Sequence, residues 1–222
     1  MYRFIYQKIR EENGELKAVP EFQYLTDFDL SEYQDLIREI TTINWNNVCF
    51  NRKDGLGLVG RSSVIFYDFL GTEHDLYGQD LPSTVIDIKE KTQQIIINDM
   101  LKKFDGFVPV KGEISCCMPQ TLQKYHVDPR VFHRYCKRIH LPLLTNDQAY
   151  LSIGYENYHL ELGKIYEFDN TVLHRSVNLG KTKRIHIILD IIDRRDLDKC
   201  LDFFQDDFFS SVNKDFKWRS LD

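Results

Sequence analysis

The stretch Lys183-Arg-Ile-His-Ile-Ile-Leu-Asp190 decides the fold class. Its side chains alternate: Arg184, His186, Ile188 and Asp190 fall on one face of an extended chain, and Ile185, Ile187 and Leu189 on the other. The segment therefore reads as a strand. Alternation alone leaves the direction of Arg184 open. If the isoleucines pack between two sheets, Arg184 faces outward. If Arg184 faces the lumen of a barrel, it needs a buried anionic partner, because an unpaired buried guanidinium is very costly. A dicarboxylate ligand would meet that need with two parallel hydrogen bonds. Arg138-Ile-His140 repeats the arrangement, with Ile139 and Leu141 on the opposite face. Its plainest reading is a solvated face with Arg138 paired to an Asp or Glu.

Outward from this stretch, short extended runs divided by turn residues extend from about Phe107 to Ile192. They are Glu113–Met118, Arg138–Leu144, Tyr150–Tyr155, Lys164–Phe168, Val172–Asn178 and Lys183–Ile192. Many short strands with turn signals indicate a sandwich or barrel, and a jelly roll is one common solution. Ahead of them, residues 28–41 read as a helix, with Ser31 as N-cap and Leu30, Tyr33, Leu36, Ile37 and Ile40 at helical spacing. Residues 45–52 and 58–69 read as strands, and Asp54-Gly55 between them is a hairpin signal. A second helix is expected over Thr84–Phe104, with Ile88, Ile95, Ile96, Met100 and Leu101 as its stripe and Asp105-Gly106 as its end. The tail from Asp196 to Asp222 is acidic and aromatic and reads as one or two helices packed on the sheet. The organisation expected is one domain over 1–222: a helical and hairpin preface over 1–106, a jelly-roll core over 107–192 and a helical tail over 193–222.

The 222 residues suit a single domain, and 42% apolar content supports a sizeable core. With 15 Phe and 12 Tyr, β-rich packing is favoured and little disorder is expected. A net charge of −5 with scattered basic residues argues against a nucleic-acid surface. No stretch approaches the roughly 20 apolar residues that span a bilayer, and no signal peptide is visible. Five cysteines without framework spacing suggest reduced thiols and a cytoplasmic setting. Oligomeric state is not legible.

The residue set with the richest chemistry is His126-Val-Asp128 followed by His174. In an extended chain His126 and Asp128 share a face and can grip one ion from one side, with His174 closing the set. Two His and one carboxylate with the remaining positions open is the arrangement of non-heme Fe(II) oxygenases. Other motifs are weaker. Gly55-Leu-Gly-Leu-Val-Gly60 matches G-x-G-x-x-G, but the residues after it are β-like rather than helical, so a glycine-rich hairpin is preferred. Cys116-Cys117, Cys136 and His133 lack zinc-site spacing and read as buried thiols.

The segment from Ser115 to Ile192 resembles the aspartyl/asparaginyl β-hydroxylase family of Fe(II)- and 2-oxoglutarate-dependent oxygenases, which also includes bacterial proline hydroxylases. The matching pieces, in order, are Ser115, His126-Val-Asp128, Arg138-Ile-His-Leu-Pro-Leu143, Gly163, Phe168-Asp-Asn170, His174-Arg-Ser-Val-Asn178 and Arg184-Ile-His-Ile-Ile-Leu-Asp190. The resemblance implies a mainly β protein with flanking helices, folded as a double-stranded β-helix (a distorted, cupin-like jelly roll). It implies that His126, Asp128 and His174 are iron ligands. It implies that Arg184 pairs with the distal carboxylate of 2-oxoglutarate, with Ser115 bonding the same end. Arg138 and His140 match positions that contact the end nearer the metal, and Asp169-Asn170 is read as a turn aiming the strand of His174. Animal aspartyl hydroxylases carry glycine where this chain has Asp128, so the chain looks more like the microbial members. It is also expected to lack their membrane anchor and helical repeats, so their substrates do not carry over.

The implied activity is hydroxylation of an amino acid, free or within a polypeptide, with Fe(II), 2-oxoglutarate and O₂ as cofactor and co-substrates and ascorbate supportive in vitro. Neither a nucleic-acid nor a membrane partner is expected. Two alternatives stay open. One is a cupin-like metal protein with non-oxidative chemistry, and the other is a non-catalytic binding module on the same fold.

Overall fold

A computed structural model describes residues 9–12, 15–18, 20–45, 61–68, 83–128 and 135–197. Residues 46–52 of the expected strand over 45–52, the Asp54-Gly55 turn, the Gly55–Gly60 motif and nearly all of the C-terminal tail lie outside these residues.

The described strands are β1 (Ile9–Glu12), β2 (Glu15–Ala18), β3 (Phe22–Asp27), β4 (Arg61–Asp68), β5 (Phe107–Cys117) and β6 (Thr121–Leu122). They continue with β7 (Lys137–Leu144), β8 (Ala149–Ile153), β9 (Glu156–Tyr158), β10 (Lys164–Phe168), β11 (His174–Asn178) and β12 (Arg184–Asp193). Six form a major sheet in the order β3-β10-β7-β12-β5-β4, and four form a minor sheet in the order β6-β11-β8-β9. Every pairing is antiparallel, and β1 and β2 form a separate two-stranded ribbon. Leu151 and Ile153 of the minor sheet share a buried cluster with Tyr166 and Phe168 of the major sheet. The two sheets thus face each other as a jelly roll.

The helices decide which face of the major sheet is inside. Helix α1 (Gln34–Thr42) and helix α2 (Ser83–Thr92), with the turn of π-helix and short α3 (Asn98–Leu101) that extend α2, lie in the outer layer. Ile40, Trp45, Ile96 and Met100 pack with Ile139, Leu141, Ile185, Ile187, Leu189 and Ile191 in one core. The isoleucine face of the 183–190 stretch is therefore covered by helices. Its polar face, with Arg184, His186 and Asp190, looks into the lumen, where all three are buried.

Three local readings change. Ser31 does not cap its helix: residues Ser31–Tyr33 form a 3₁₀ turn, and the Asp29 carboxylate accepts from the Ser31 backbone N–H at 2.8 Å. The second helix is not uniform, because Gln93–Ile97 winds as a π-helix. One extra residue per turn rotates the stripe, so Ile96 and Met100 are buried while Ile95 is 44% exposed. Finally, the preface supplies, beside β4, which is the expected strand over 58–69, an edge strand that the sequence reading missed, β3. Strand β3 adds to β10 and β4 adds to β5, which makes them the two edges of the major sheet.

Gly163 enters β10 with φ +69, and a Cβ there would meet the Phe28 carbonyl oxygen at 2.9 Å. Phe28 N–H donates to the Gly163 carbonyl at 2.6 Å, so this glycine fastens the start of α1's lead-in segment to the sheet.

Candidate metal centre

His126 and His174 face each other across an isolated antiparallel bridge, each donating its backbone N–H to the other's carbonyl, at 3.0 and 2.8 Å. This bridge brings together two imidazoles from distant chain segments. Tyr125 and Val127 are exposed while His126 and Asp128 turn inward, as alternation requires. One side-chain ligand atom from each of His126, Asp128 and His174 lies within 4.8 Å of the other two. The donors are two imidazoles and a carboxylate, which suit a divalent iron with open positions.

The ring tautomers are set by the backbone. His126 Nδ1 lies 3.0 Å from the Lys124 carbonyl, and His174 Nδ1 lies 2.8 Å from the Val172 carbonyl. A carbonyl only accepts, so each Nδ1 carries the proton and each Nε2 presents its lone pair. Burial pushes His174 down to about pKa 4; Asp128 opposes this and His126 adds to it. His174 is thus neutral at physiological pH, and protons do not compete with a metal there.

Asp128 is held from three directions. Its backbone N–H donates to the Asn170 carbonyl at 3.0 Å, and its Oδ2 accepts from Asn170 Nδ2 at 3.2 Å. The same Oδ2 accepts from Arg138 Nη1. The turn before His174 is closed by Asp169 Oδ1, which accepts from Thr171 N–H at 3.0 Å and Thr171 Oγ1 at 2.6 Å. Asp169-Asn170 therefore aims the β11 strand and also grips the carboxylate, a second role that its sequence did not reveal.

Arg138 sits between two carboxylates. Its Nε and Nη2 bond Asp190 Oδ1 and Oδ2 at 2.8 and 2.6 Å in a two-pronged fork, and its Nη1 reaches Asp128. Burial opposes the charge, but Asp128 and Asp190 together hold its pKa well above the ordinary guanidinium value. The acid partner of the plainest sequence reading is thus present, though in the lumen rather than on a solvated face.

The remaining sequence-selected residues lie on the same inner face. Ser115 is buried on β5, directly opposite His186 on β12. Arg184 is buried at the start of β12, donating from Nη1 to Ser176 Oγ at 3.3 Å and from Nη2 to His186 Nδ1 at 3.0 Å. Arginine cannot accept, so His186 Nδ1 is the acceptor, and His140 Nδ1, 3.3 Å away, supplies the proton of their contact. The His140 ring meets the edge of Phe168 at 5.1 Å between centroids, and Phe168 meets His174 at 5.0 Å. Sequence reasoning missed Ser176, Asn170 and Asp190 as participants. For Asp190 the signal existed, since alternation puts it on the face of Arg184.

The thiols of Cys116, Cys117 and Cys136 are buried and unbridged. Among the described residues no helix is long and apolar enough to cross a membrane.

The chain is similar to several solved structures, all distant. A viral collagen prolyl hydroxylase from Paramecium bursaria Chlorella virus-1, in its 2-oxoglutarate complex, is 14% identical with a TM-score of 0.42, covering 78% of this chain and 96% of that one. A 2OG-Fe(II) oxygenase family oxidoreductase from Burkholderia pseudomallei is 10% identical, TM-score 0.41, over 78% and 96%. A prolyl hydroxylase from Trichoplax adhaerens, bound to a peptide fragment of the hypoxia inducible factor oxygen degradation domain, is 13% identical, TM-score 0.43, over 79% and 84%. No curated protein sequence matches the chain. The sequence profile of aspartyl/asparaginyl beta-hydroxylase, in contrast, matches residues 4–194. The chain belongs to the aspartyl/asparaginyl beta-hydroxylase family.

Proposed function

We propose that this protein is an Fe(II)- and 2-oxoglutarate-dependent hydroxylase acting on an amino acid, free or within a polypeptide. The observation that carries the reading is the convergence of His126, Asp128 and His174, with both histidine tautomers set to offer Nε2. These three would hold the iron, with Arg138 and Asn170 steadying the Asp128 carboxylate through its Oδ2. Bound iron supplies O₂ activation coupled to oxidative decarboxylation of 2-oxoglutarate to succinate and CO₂.

The protein's own part is binding and orientation. Arg184 would pair with the distal carboxylate of 2-oxoglutarate, with Ser115 on the same end. His174 and Ser176 share the inner face of β11, and two residues of antiparallel strand span about 7 Å, close to the length of a five-carbon dicarboxylate. A co-substrate with its keto end at His174 therefore reaches the guanidinium that bonds Ser176. Arg138 and His140 would shape the metal-side end. Arg138 does so by holding Asp128, and His140 by lining the wall beside Phe168.

The test is succinate release over a panel of free amino acids and short peptides, with Fe(II), 2-oxoglutarate and ascorbate. A substrate-dependent rise in succinate with a matching gain of one oxygen is expected. Metal binding without any 2-oxoglutarate binding would instead support non-oxidative cupin chemistry.

The fork between Arg138 and Asp190 gives a second expectation. Asp190→Asn keeps the shape but removes the charge that fixes the guanidinium. Fe(II) affinity, measured by chelator competition, is expected to fall by about 10- to 100-fold. An unchanged affinity would mean that Arg138 does not govern the ligand carboxylate.

A further inference from the structure

Gln123 is 1% exposed, yet its amide is only half used. Its backbone N–H donates to the Ser176 carbonyl at 3.1 Å, and its Oε1 accepts from the Ser176 N–H at 2.9 Å. The side-chain oxygen thus takes the place that a backbone carbonyl would hold in the ladder, just where β6 ends. Its Nε2 meets no acceptor among the described residues. A buried donor left without an acceptor is costly, and native proteins seldom keep one without a reason.

The place of this donor gives the reason. Register pairs Leu122 with Val177 and Thr121 with Asn178, so Gln123 stands opposite Ser176. Ser176 lies on the inner face with His174, and its Oγ accepts from Arg184 Nη1. The Gln123 amide and the Arg184 guanidinium therefore converge on one residue of β11.

We infer that Gln123 is a further binding residue for an acidic co-substrate, donating from Nε2 to the distal carboxylate that Arg184 pairs with. The inference rests on the 2-oxoglutarate reading above. It adds a neutral donor to a charged one, which gives the carboxylate directional hydrogen bonds as well as a counter-charge. It also explains a buried glutamine where an apolar side chain would pack at less cost.

Gln123→Glu is the discriminating variant, because it keeps the oxygen that accepts from Ser176 and replaces the donor with an anion. The full-length protein is loaded anaerobically with Fe(II) and titrated, by the visible absorption of the metal–keto acid chelate, with 2-oxoglutarate and with 2-oxobutanoate. The second keto acid has the same chelating end and no distal carboxylate. The variant is expected to weaken 2-oxoglutarate by about tenfold or more, leaving 2-oxobutanoate and Fe(II) affinity within about twofold. Gln123→Met, which removes the donor together with the oxygen that accepts from Ser176 and adds no charge, is expected to weaken 2-oxoglutarate selectively as well, and decides the matter if the Glu variant does not fold. Equal weakening of both keto acids, or no change in either, overturns the inference. If the unmodified protein itself fails to bind 2-oxoglutarate, the functional reading falls first, and this inference falls with it.

Discussion

Asp128→Ala is expected to abolish turnover and to weaken Fe(II) binding by more than the roughly 10- to 100-fold typical of losing a residue behind the ligands. Two properties of the site make the loss large. Asp128 is the only anion in the set of three, and it would balance part of a bound metal's charge in a partly desolvated place. It is also pre-positioned by Asn170 and Arg138, so no ordering cost offsets its contribution. Folding should survive, since Arg138 keeps its fork to Asp190. Isothermal titration with Co(II) and thermal unfolding of the metal-free protein check both halves. Retained turnover would remove Asp128 from the metal.

Arg184→Met is expected to leave metal affinity nearly intact and to raise the Kd of 2-oxoglutarate steeply. Truncating one partner of a buried, hydrogen-bonded charge pair costs about 2–5 kcal/mol, which is a rise of about 30-fold or more. Methionine keeps much of the apolar stem, so packing on β12 changes little. The buried guanidinium donates to Ser176 and His186, and both bonds lie on the inner face where a dicarboxylate would end. The readout is the anaerobic titration of 2-oxoglutarate against the Fe(II)-loaded variant. A Kd within twofold of the unmodified protein would place the acid elsewhere.

Arg184 and Asp128 differ in how openly the chain announces them. Asp128 stands two residues from His126, and that spacing suffices to place both on one side of an extended backbone. His174 is far along the chain, and only the bridge between the two histidines shows that the segments meet. Arg138 illustrates the opposite case. Its alternation was legible, but its fork with Asp190 depends on β7 lying beside β12 in one register, with Asp190 opposite Arg138. Gln123 carried no signal at all, because its role follows from the point where β6 stops and a side chain takes over the ladder.

The helices show the same limit. Tyr33, Leu36, Ile37 and Ile40 recur at helical spacing and are buried as their periodicity requires. Ile95 belongs to an equally plausible stripe and is exposed, because a turn of π-helix rotates the phase within Gln93–Ile97. Strand β3 escaped notice because it is an edge strand whose residues are all partly or fully exposed, so its hydrophobic alternation is faint.

By itself the sequence determined that residues 107–192 alternate as strands, and that Arg184, His186 and Asp190 share one face. It could not determine which face is inside. Alternation has a period of two and is unchanged when the strand is turned over, so either face fits a buried side equally well. That choice was made by the tertiary structure: helices α1 and α2 cover Ile185, Ile187 and Leu189, and the charged face is left to line the lumen. The same packing brings Arg138 between two carboxylates and the Gln123 amide beside Arg184's partner. Contacts between chain segments this far apart depend on how the sheets stack, which no local pattern encodes.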